Sequence, residues 1–377
     1  MGGDGFDQVV LFVVLALRFC IPLFIPRFPL PAILAALVID AADQTIFQQL
    51  TELNLDGYQN YDKALDIFYL TIAFLAVYRN WTNTTAINVA RFLWYYRLFG
   101  VWLFEVFQER WILFVFPNTF EFFFIAYVAI GTQWDPRRLT DRAVIGMAAF
   151  IWIVIKLPQE WWIHIAQNDF TDFMKVDIFG TTPTTSWAEA ITNRPAVTIA
   201  LLVAIALLAA AAVWGYRKAP EPDWSFRVDV DKPVPHVALP EREQAPLWFA
   251  PPFAEKLLLV GLIAAIYTSV LDLDTPVLRI VAATALIIGA SVGVSQLLAR
   301  RGIEWSSIGL QWIVLALVNS ALIGTYAALV GNSLNRSLAF FFGLLLTMVI
   351  VLYDRFLGRR TALDPEGQVT PPVPSTG

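Results

Sequence analysis

The sequence predicts an all-α protein, a polytopic bundle of helices that crosses a membrane many times. Of its 377 residues, 58% are hydrophobic and 15% are charged, whereas a soluble domain has roughly 25% charged residues. Apolar runs of about 17–25 residues recur along the chain, and a helix of that length crosses the hydrocarbon core. Backbone groups in lipid must bond within the chain, and these runs lack the alternation of barrel strands, so they are predicted to be helices.

Eleven runs have the length and composition of membrane spans. They cover residues 8–26, 28–47, 62–79, 87–106, 110–131, 143–164, 196–216, 254–271, 277–298, 308–330 and 336–356. Prolines interrupt the first two runs, and a tight turn at Pro26 and Arg27 would separate them into two helices. A single broken helix is the alternative, and it would reduce the count to ten spans.

The placement of lysine and arginine predicts the orientation of these spans. Basic residues fall on every second connection, beginning with Arg27 and Arg79, while the intervening connections are acidic or neutral. Cytoplasmic loops carry the excess of basic residues, so the N-terminus is expected outside and the C-terminus in the cytoplasm. We expect a multi-pass protein of the bacterial plasma (inner) membrane, surrounded by the lipid bilayer. Its net charge of −5 argues against nucleic acid as a partner.

Composition divides the chain into segments of different character. In order, they are a charged six-helix half (1–195) with an outer loop (165–195), a linking transmembrane helix (196–216), a proline-rich cytoplasmic linker (217–253), an apolar four-helix half (254–356) and a disordered cytoplasmic tail (357–377). Small residues recur in the apolar half, and such residues let helices approach closely. We therefore expect the apolar half to be a packing scaffold or the surface of a homo-oligomer.

Ionisable residues within the spans are concentrated before residue 165. A charge at the centre of a bilayer costs about 3 kcal/mol on the mildest scales, so each such residue needs a partner or a function. Five carboxylates lie deep enough to be candidate ligands for a substrate or an ion: Asp40, Asp43, Asp66, Glu121 and Glu160. Two basic residues of the same half, Arg97 and Lys156, are the candidate charge-balancing residues.

The charges of this half do not sum to zero. Glu105 raises the number of acids to six, against Arg97, Lys156 and a third cation, Arg18. Two or three carboxylates would remain after full pairing, and they would have to share protons or hold a divalent cation. Structural ion pairs, such as Arg97 with Glu105, are the alternative explanation. Asp62 opens its span and is expected to be an ordinary interface residue.

Lys156, Glu160 and His164 are spaced at i, i+4 and i+8 and therefore share one helix face. Glu160 and His164 are the candidate metal ligands on this face, because a histidine added to carboxylates suits Zn²⁺ or Mn²⁺. The spacing is not that of the zincin motif, which has two histidines and a glutamate on one helix. The alternative is an interface histidine with an ordinary hydrogen-bond partner.

The sequence contains no nucleotide-binding or hydrolase motif. Three functions are consistent with the pattern of intramembrane charges. The surplus of acids favours cation- or proton-dependent membrane transport, through an acidic site in the outer half of the first six helices. The alternative is a membrane-embedded, metal-dependent enzyme acting on a lipid or lipid-linked substrate, in which the same acids hold a divalent cation. The third hypothesis is a membrane scaffold or assembly protein whose charges only specify helix pairing.

Overall fold

The computed structural model describes residues 5–51, 58–231, 252–270, 285–294, 308–330 and 336–361. Within these ranges the chain forms helices and no strand. Six of the helical segments are long and apolar enough to cross a membrane. The predicted all-α fold is confirmed for the described residues, and the six helices are consistent with the predicted membrane protein. The count of eleven spans and their orientation stay predictions.

Each predicted span overlaps at least one helix. In chain order they are α1 (Gly5–Cys20), α2 (Pro29–Leu50), α3 (Tyr58–Asn80), α4 (Thr84–Phe107), α5 (Trp111–Val115), α6 (Thr119–Ile130), α7 (Asp141–Ile165), α8 (Phe170–Phe173), α9 (Trp187–Asn193), α10 (Pro195–Lys218), α11 (Pro252–Val270), α12 (Ala285–Val294), α13 (Ile308–Val330) and α14 (Arg336–Thr361). The six candidate spans are α1 with the turn after it, α5 with α6, and α7, α10, α11 and α14.

Some predicted boundaries lie outside the described residues. The predicted span 277–298 is described only over α12, and most of the predicted tail lies outside the described residues as well. Helix α14 continues to Thr361, so the first residues assigned to the tail are helical instead. Of the predicted linker, residues 219–231 pack against the bundle, and residues 232–251 lie outside the described part of the chain.

The first two spans are separate helices that contact each other. Helix α1 ends in a 3-10 turn, Ile21–Phe24, and α2 begins at Pro29. A proline suits the first position of a helix, because its missing N–H is one that would find no partner there. The sequence left open whether these residues form one broken helix or two, and the structure has two.

Helix α3 lies at the centre of the bundle. From Ala64 to Tyr78 nearly every side chain is buried, and α3 contacts α2, α4, α11 and α14. Helices of both predicted halves therefore pack against it. Polar residues at the start of α3 are surrounded by protein rather than by lipid alone, which is the setting in which intramembrane charges are tolerated.

The predicted span 110–131 is interrupted where the sequence analysis expected one continuous helix. Helix α5 ends at Val115 and α6 begins at Thr119 because Pro117 has no N–H to donate and its ring blocks the preceding turn. Side chains of α4 bind the carbonyls that this break leaves free. Tyr96 donates its hydroxyl to the carbonyl of Val115 at 2.9 Å, and Arg97 donates to the carbonyl of Phe116 at 3.0 Å.

The break packs directly against α4 at Gly100. A Cβ atom built on Gly100 would lie 2.1 Å from the Cβ of Phe116, and a Cβ cannot move without its backbone. We expect Gly100→Ala to lower the free energy of unfolding by about 1–3 kcal/mol, as overpacking does elsewhere. Thermal unfolding in detergent would measure this, with Gly146→Ala as control because a Cβ there meets no atom of the described residues within 4 Å. Equal unfolding midpoints for the two variants would contradict the close approach.

Helix α7 adopts two π-helical segments, at Ile151–Lys156 and at Trp161–Ile165, on either side of the α-helical turn Leu157–Glu160. Pro158 lies in that turn and cannot donate the usual backbone hydrogen bond, so a widened helix on both sides accommodates it. This helix carries the three residues whose spacing predicted a shared face.

The second half packs onto the first through two helices. Helix α11 contacts α4 and α14 contacts α3, whereas the candidate span α10 has no buried residue. A Cβ added at Gly261, Gly289, Gly293 or Gly324 would meet nothing within 4 Å among the described residues. These glycines therefore bring no described helix closer, and a homo-oligomer surface on this half stays a prediction.

Candidate functional site

Four aspartates from two helices converge on one arginine. Arg18 of α1 contacts Asp43 and Asp62 through Nη1, and Asp40 and Asp66 through Nη2. We refer to these five residues as the aspartate cluster. The Arg18 side chain is 3% exposed, so its charge is neutralised within the protein rather than by water.

Helix geometry explains why the four carboxylates meet. Asp40 and Asp43 are three residues apart on α2, and Asp62 and Asp66 are four residues apart on α3. Both spacings place a pair on one helix face, and each pair faces α1. Tyr58, at the start of α3, donates its hydroxyl to Asp43 at 2.5 Å and holds that carboxylate in place.

The aspartate cluster has more negative than positive charge. Four carboxylates around one guanidinium leave three negative charges if all four are ionised. One oxygen from each of Asp40, Asp62 and Asp66 lies within 4.8 Å of the other two. Carboxylates this close repel one another, so protons or a bound cation must relieve the excess.

Sequence reasoning missed two members of the aspartate cluster. It treated Asp62 as an interface residue and Arg18 as a minor cation, whereas Arg18 contacts all four acids. The spacing of Asp62 and Asp66 was available as a signal for the first. Nothing in the sequence pointed to Arg18 as the central residue, because that depends on how α1 packs against α2 and α3.

Glu121 and Glu160 form a second polar group beside the proline break. Glu121 accepts a hydrogen bond from the hydroxyl of Tyr69 at 2.5 Å and another from the side-chain amide of Asn118 at 2.8 Å. The backbone N–H of Asn118 donates to Glu160 at 3.2 Å. Asn118, at the break, therefore links the two glutamates, because its side-chain amide binds Glu121 and its backbone N–H binds Glu160.

Glu160 has two basic neighbours on its own helix. Lys156 lies 3.3 Å from one of its oxygens and His164 lies 3.0 Å from the other, so the predicted shared face is present. Among the described residues, no further histidine, cysteine or acid lies close enough to Glu160 and His164 to complete a metal site with them. Glu160 thus forms a structural ion pair with Lys156, and His164 has an ordinary hydrogen-bond partner, which is the alternative that the sequence analysis gave for this histidine.

Arg97 and Glu105, a possible ion pair by sequence, have other partners. Arg97 binds the carbonyl of Phe116, and Glu105 pairs with Lys63 at 2.9 Å. Arg97 forms no ion pair within the described part of the chain, although its charge acts on Glu121 and Glu160 at longer range. Lys63, one residue after Asp62, was not singled out by the sequence analysis.

A cavity of about 190 Å³ lies between the two groups. Its polar lining is Lys63, Asp66, Tyr69, Arg97, Glu105 and Asn118. Asp66 belongs both to the aspartate cluster and to the cavity wall, and its side chain is 42% exposed. Through Asp66 the excess negative charge of the aspartate cluster reaches a space that can hold water or a small ligand.

Two buried polar atoms of the cavity wall have no hydrogen-bond partner among the described residues. They are Nε1 of Trp94, a residue that is 1% exposed, and Oδ1 of Asn118. Leaving a buried donor or acceptor unpaired costs about 1–3 kcal/mol, so such atoms are rare unless water or a ligand binds them. One is a donor and the other an acceptor, which suits a polar occupant.

No protein-family model, curated protein or solved structure matches the chain. Crowded carboxylates with a nearby polar cavity can take up and release protons or cations.

Proposed function

We propose that the protein carries out cation- or proton-dependent transport across the cell membrane, with the aspartate cluster and the adjoining cavity as its site. The observation that supports this most directly is the convergence of four carboxylates on Arg18. Intramembrane carboxylates that outnumber their basic partners are typical of proton and ion pathways.

Arg18 makes reversible binding chemically reasonable. Transport requires a site that attracts its ion but also releases it. A guanidinium within the aspartate cluster offsets part of the negative charge, so an incoming cation meets three surplus charges rather than four. Asp66 is the natural entry point, because it lies in the cavity wall as well as in the cluster.

The second candidate is a metal-dependent enzyme acting on a lipid or lipid-linked substrate. The close oxygens of Asp40, Asp62 and Asp66 favour it, since carboxylate oxygens suit Ca²⁺ or Mg²⁺. However, each of these three acids also contacts Arg18. A divalent ion would have to compete with that guanidinium, and this competition makes protons or a weakly held cation the better proposal.

Flux measurements on Asp66→Asn test the proposal. The variant keeps the shape of the side chain and removes one charge, so we expect it to abolish ion-dependent flux in proteoliposomes. A pH-sensitive dye in the lumen would report protons, with Na⁺, K⁺ or Mg²⁺ supplied outside in turn. Asp172→Asn, at an exposed position on α8, is the matched control.

The outcomes separate the three functions. Wild-type flux that persists in both Asp66→Asn and Asp40→Asn would refute the assignment of the site. A stoichiometric divalent metal in the purified protein, without flux, would favour the enzyme. No flux and no metal would favour the scaffold, in which the charges only pair helices.

A further inference from the structure

Residues 219–231, which we call the strap, fold back over one end of the bundle. This end is formed by the turn before α2, the α3–α4 connection and the connection between α6 and α7. Four backbone N–H groups of the strap donate to bundle carbonyls: Asp223 and Trp224 to Gln133 at 2.9 and 3.3 Å, Arg227 to Thr132 at 2.9 Å and Val230 to Arg27 at 3.1 Å. The strap is therefore an ordered part of the fold and not a slack connection.

Ion pairs fasten the strap at both ends. They join Asp223 to Arg138 at 2.7 Å, Asp229 to Arg27 at 3.6 Å, and Asp231 to Arg79 and, at 3.6 Å, to Arg27. The aspartates of the strap thus pair with arginines of the bundle. None of these pairs involves Arg227, the arginine of the strap itself.

A cavity of about 370 Å³ lies between the strap and the bundle. Its lining combines charged, amide and aromatic side chains, among them Arg79, Asn80, Trp81, Arg137, Trp224 and Arg227. It lies at the opposite end of α3 from the aspartate cluster. Asp66 and Arg79 are separated by about 20 Å along that helix, so the two sites are distinct.

Two hydrogen-bond donors of the strap have no acceptor among the described residues. Nε1 of Trp224 and Nη1 of Arg227 are both buried, and the guanidinium lies 5.2 Å from the centre of the Trp224 ring. Burial lowers the pKa of Arg227, and Asp229 acts in the opposite direction from a distance. Both groups can only donate, so the missing partner has to be an acceptor.

The charged residues that line this cavity form ion pairs with one another, except for one arginine. Asp135 pairs with Arg137 at 2.8 Å, and Asp231 pairs with Arg79. Arg227 is the remaining charge, and no described carboxylate lies within ion-pair distance of it. An anion that binds here would neutralise Arg227 and satisfy the free indole N–H at the same time.

We propose that the cavity under the strap binds a phosphate group carried by a small organic molecule or by a lipid headgroup. Arginine binds phosphate through paired hydrogen bonds, and the indole supplies a further donor. The cavity is much larger than a phosphate ion, which leaves room for an organic part beside Trp81 and Trp224. Basic pockets at the membrane face are known binding sites for phospholipid headgroups, and a soluble phosphate ester offers the same chemistry.

Thermal unfolding of the purified full-length protein tests this proposal. Glycerol 3-phosphate is the soluble probe in detergent, and phosphatidic acid in nanodiscs is the lipid probe, with acetate at equal ionic strength as the comparison. A ligand that binds only the folded state raises the unfolding midpoint, and titration gives its Kd. A response to the soluble probe or to the lipid probe supports the proposal and identifies the source of the phosphate.

Three variants sharpen the test. We expect Arg227→Gln to weaken binding by about tenfold, because it removes a charge-assisted hydrogen bond. Trp224→Phe keeps an aromatic ring and removes only the N–H donor, so it should weaken binding by about threefold; it also serves if Arg227→Gln fails to fold. Arg142→Gln, an exposed arginine at the start of α7, should leave the Kd unchanged.

Several results would overturn the proposal. They are no stabilisation by either phosphate probe, equal stabilisation by acetate, or unchanged affinity in both Arg227→Gln and Trp224→Phe. Water would then be the natural occupant of the cavity, bound to the two donors.

Discussion

Replacing Arg18 with glutamine should lower the free energy of unfolding by about 3–5 kcal/mol, the range found when one partner of a buried ion pair is removed. Arg18 is 3% exposed and contacts four carboxylates from two other helices. Glutamine can donate hydrogen bonds to one or two of them but supplies no charge. The four acids would then repel one another, and Asp43, whose side chain is 4% exposed, would keep its charge where water screens it poorly.

Unfolding midpoints of purified protein in detergent would measure this effect, with Arg142→Gln as the matched control. Arg142 is exposed, so its replacement should change stability by less than about 0.5 kcal/mol. Lowering the pH should narrow the gap between Arg18→Gln and wild type, because protons can take over the role of the guanidinium. The double variant Arg18→Gln, Asp43→Asn should likewise recover part of the lost stability.

A fully stable Arg18→Gln variant at neutral pH would contradict this account. It would mean that the acids are already neutralised in another way, and the surplus of charge that supports the transport proposal would disappear. The same variant therefore tests both the packing of α1 and the electrostatic premise of the proposed function.

Helix positions could be predicted from the sequence where local composition decides them. The run at 308–330 coincides with α13, Ile308–Val330, because an uninterrupted apolar segment has few alternatives to a helix in lipid. The run at 110–131 is different, because Pro117 breaks it into α5 and α6. Hydropathy does not reveal such a break, whose stability depends on partners such as Arg97 on another helix.

The candidate site could be predicted in composition but not in pairing. Asp40, Asp43 and Asp66 were singled out, since carboxylates deep in apolar runs need an explanation, and they do converge. Which cation they meet depends on the rotation of each helix about its axis, and the sequence carries no direct signal for that. Arg18 was consequently underrated.

The apolar half also contains a buried charged residue that its composition does not draw attention to. Glu255, in the first turn of α11, is buried, and its carboxylate lies 2.8 Å from Arg91 of α4. Tyr78 and Tyr95 both donate hydroxyl hydrogen bonds to the same carboxylate. A single acid of the second half thus binds three residues of the first, at a position where sequence reasoning expected only a helix end.

Breaking this contact should have the second large effect. We expect Glu255→Gln to lower the free energy of unfolding by about 3–5 kcal/mol, because Arg91 would keep its buried charge without a carboxylate. Glu189→Gln is the matched control, since Glu189 also lies in the first turn of a helix, α9, but is exposed. Water solvates that carboxylate and no buried cation is left behind, so the change should cost less than about 0.5 kcal/mol.

A double-mutant cycle would show whether Arg91 and Glu255 act together in joining the two halves. If they do, Arg91→Gln combined with Glu255→Gln should be much less destabilising than the sum of the single changes, because neither charge is then left buried alone. Strictly additive losses would instead mean that each residue is stabilised by other neighbours. In that case the apolar packing of α11 on α4 and of α14 on α3 would be the main contact holding the second half against the first.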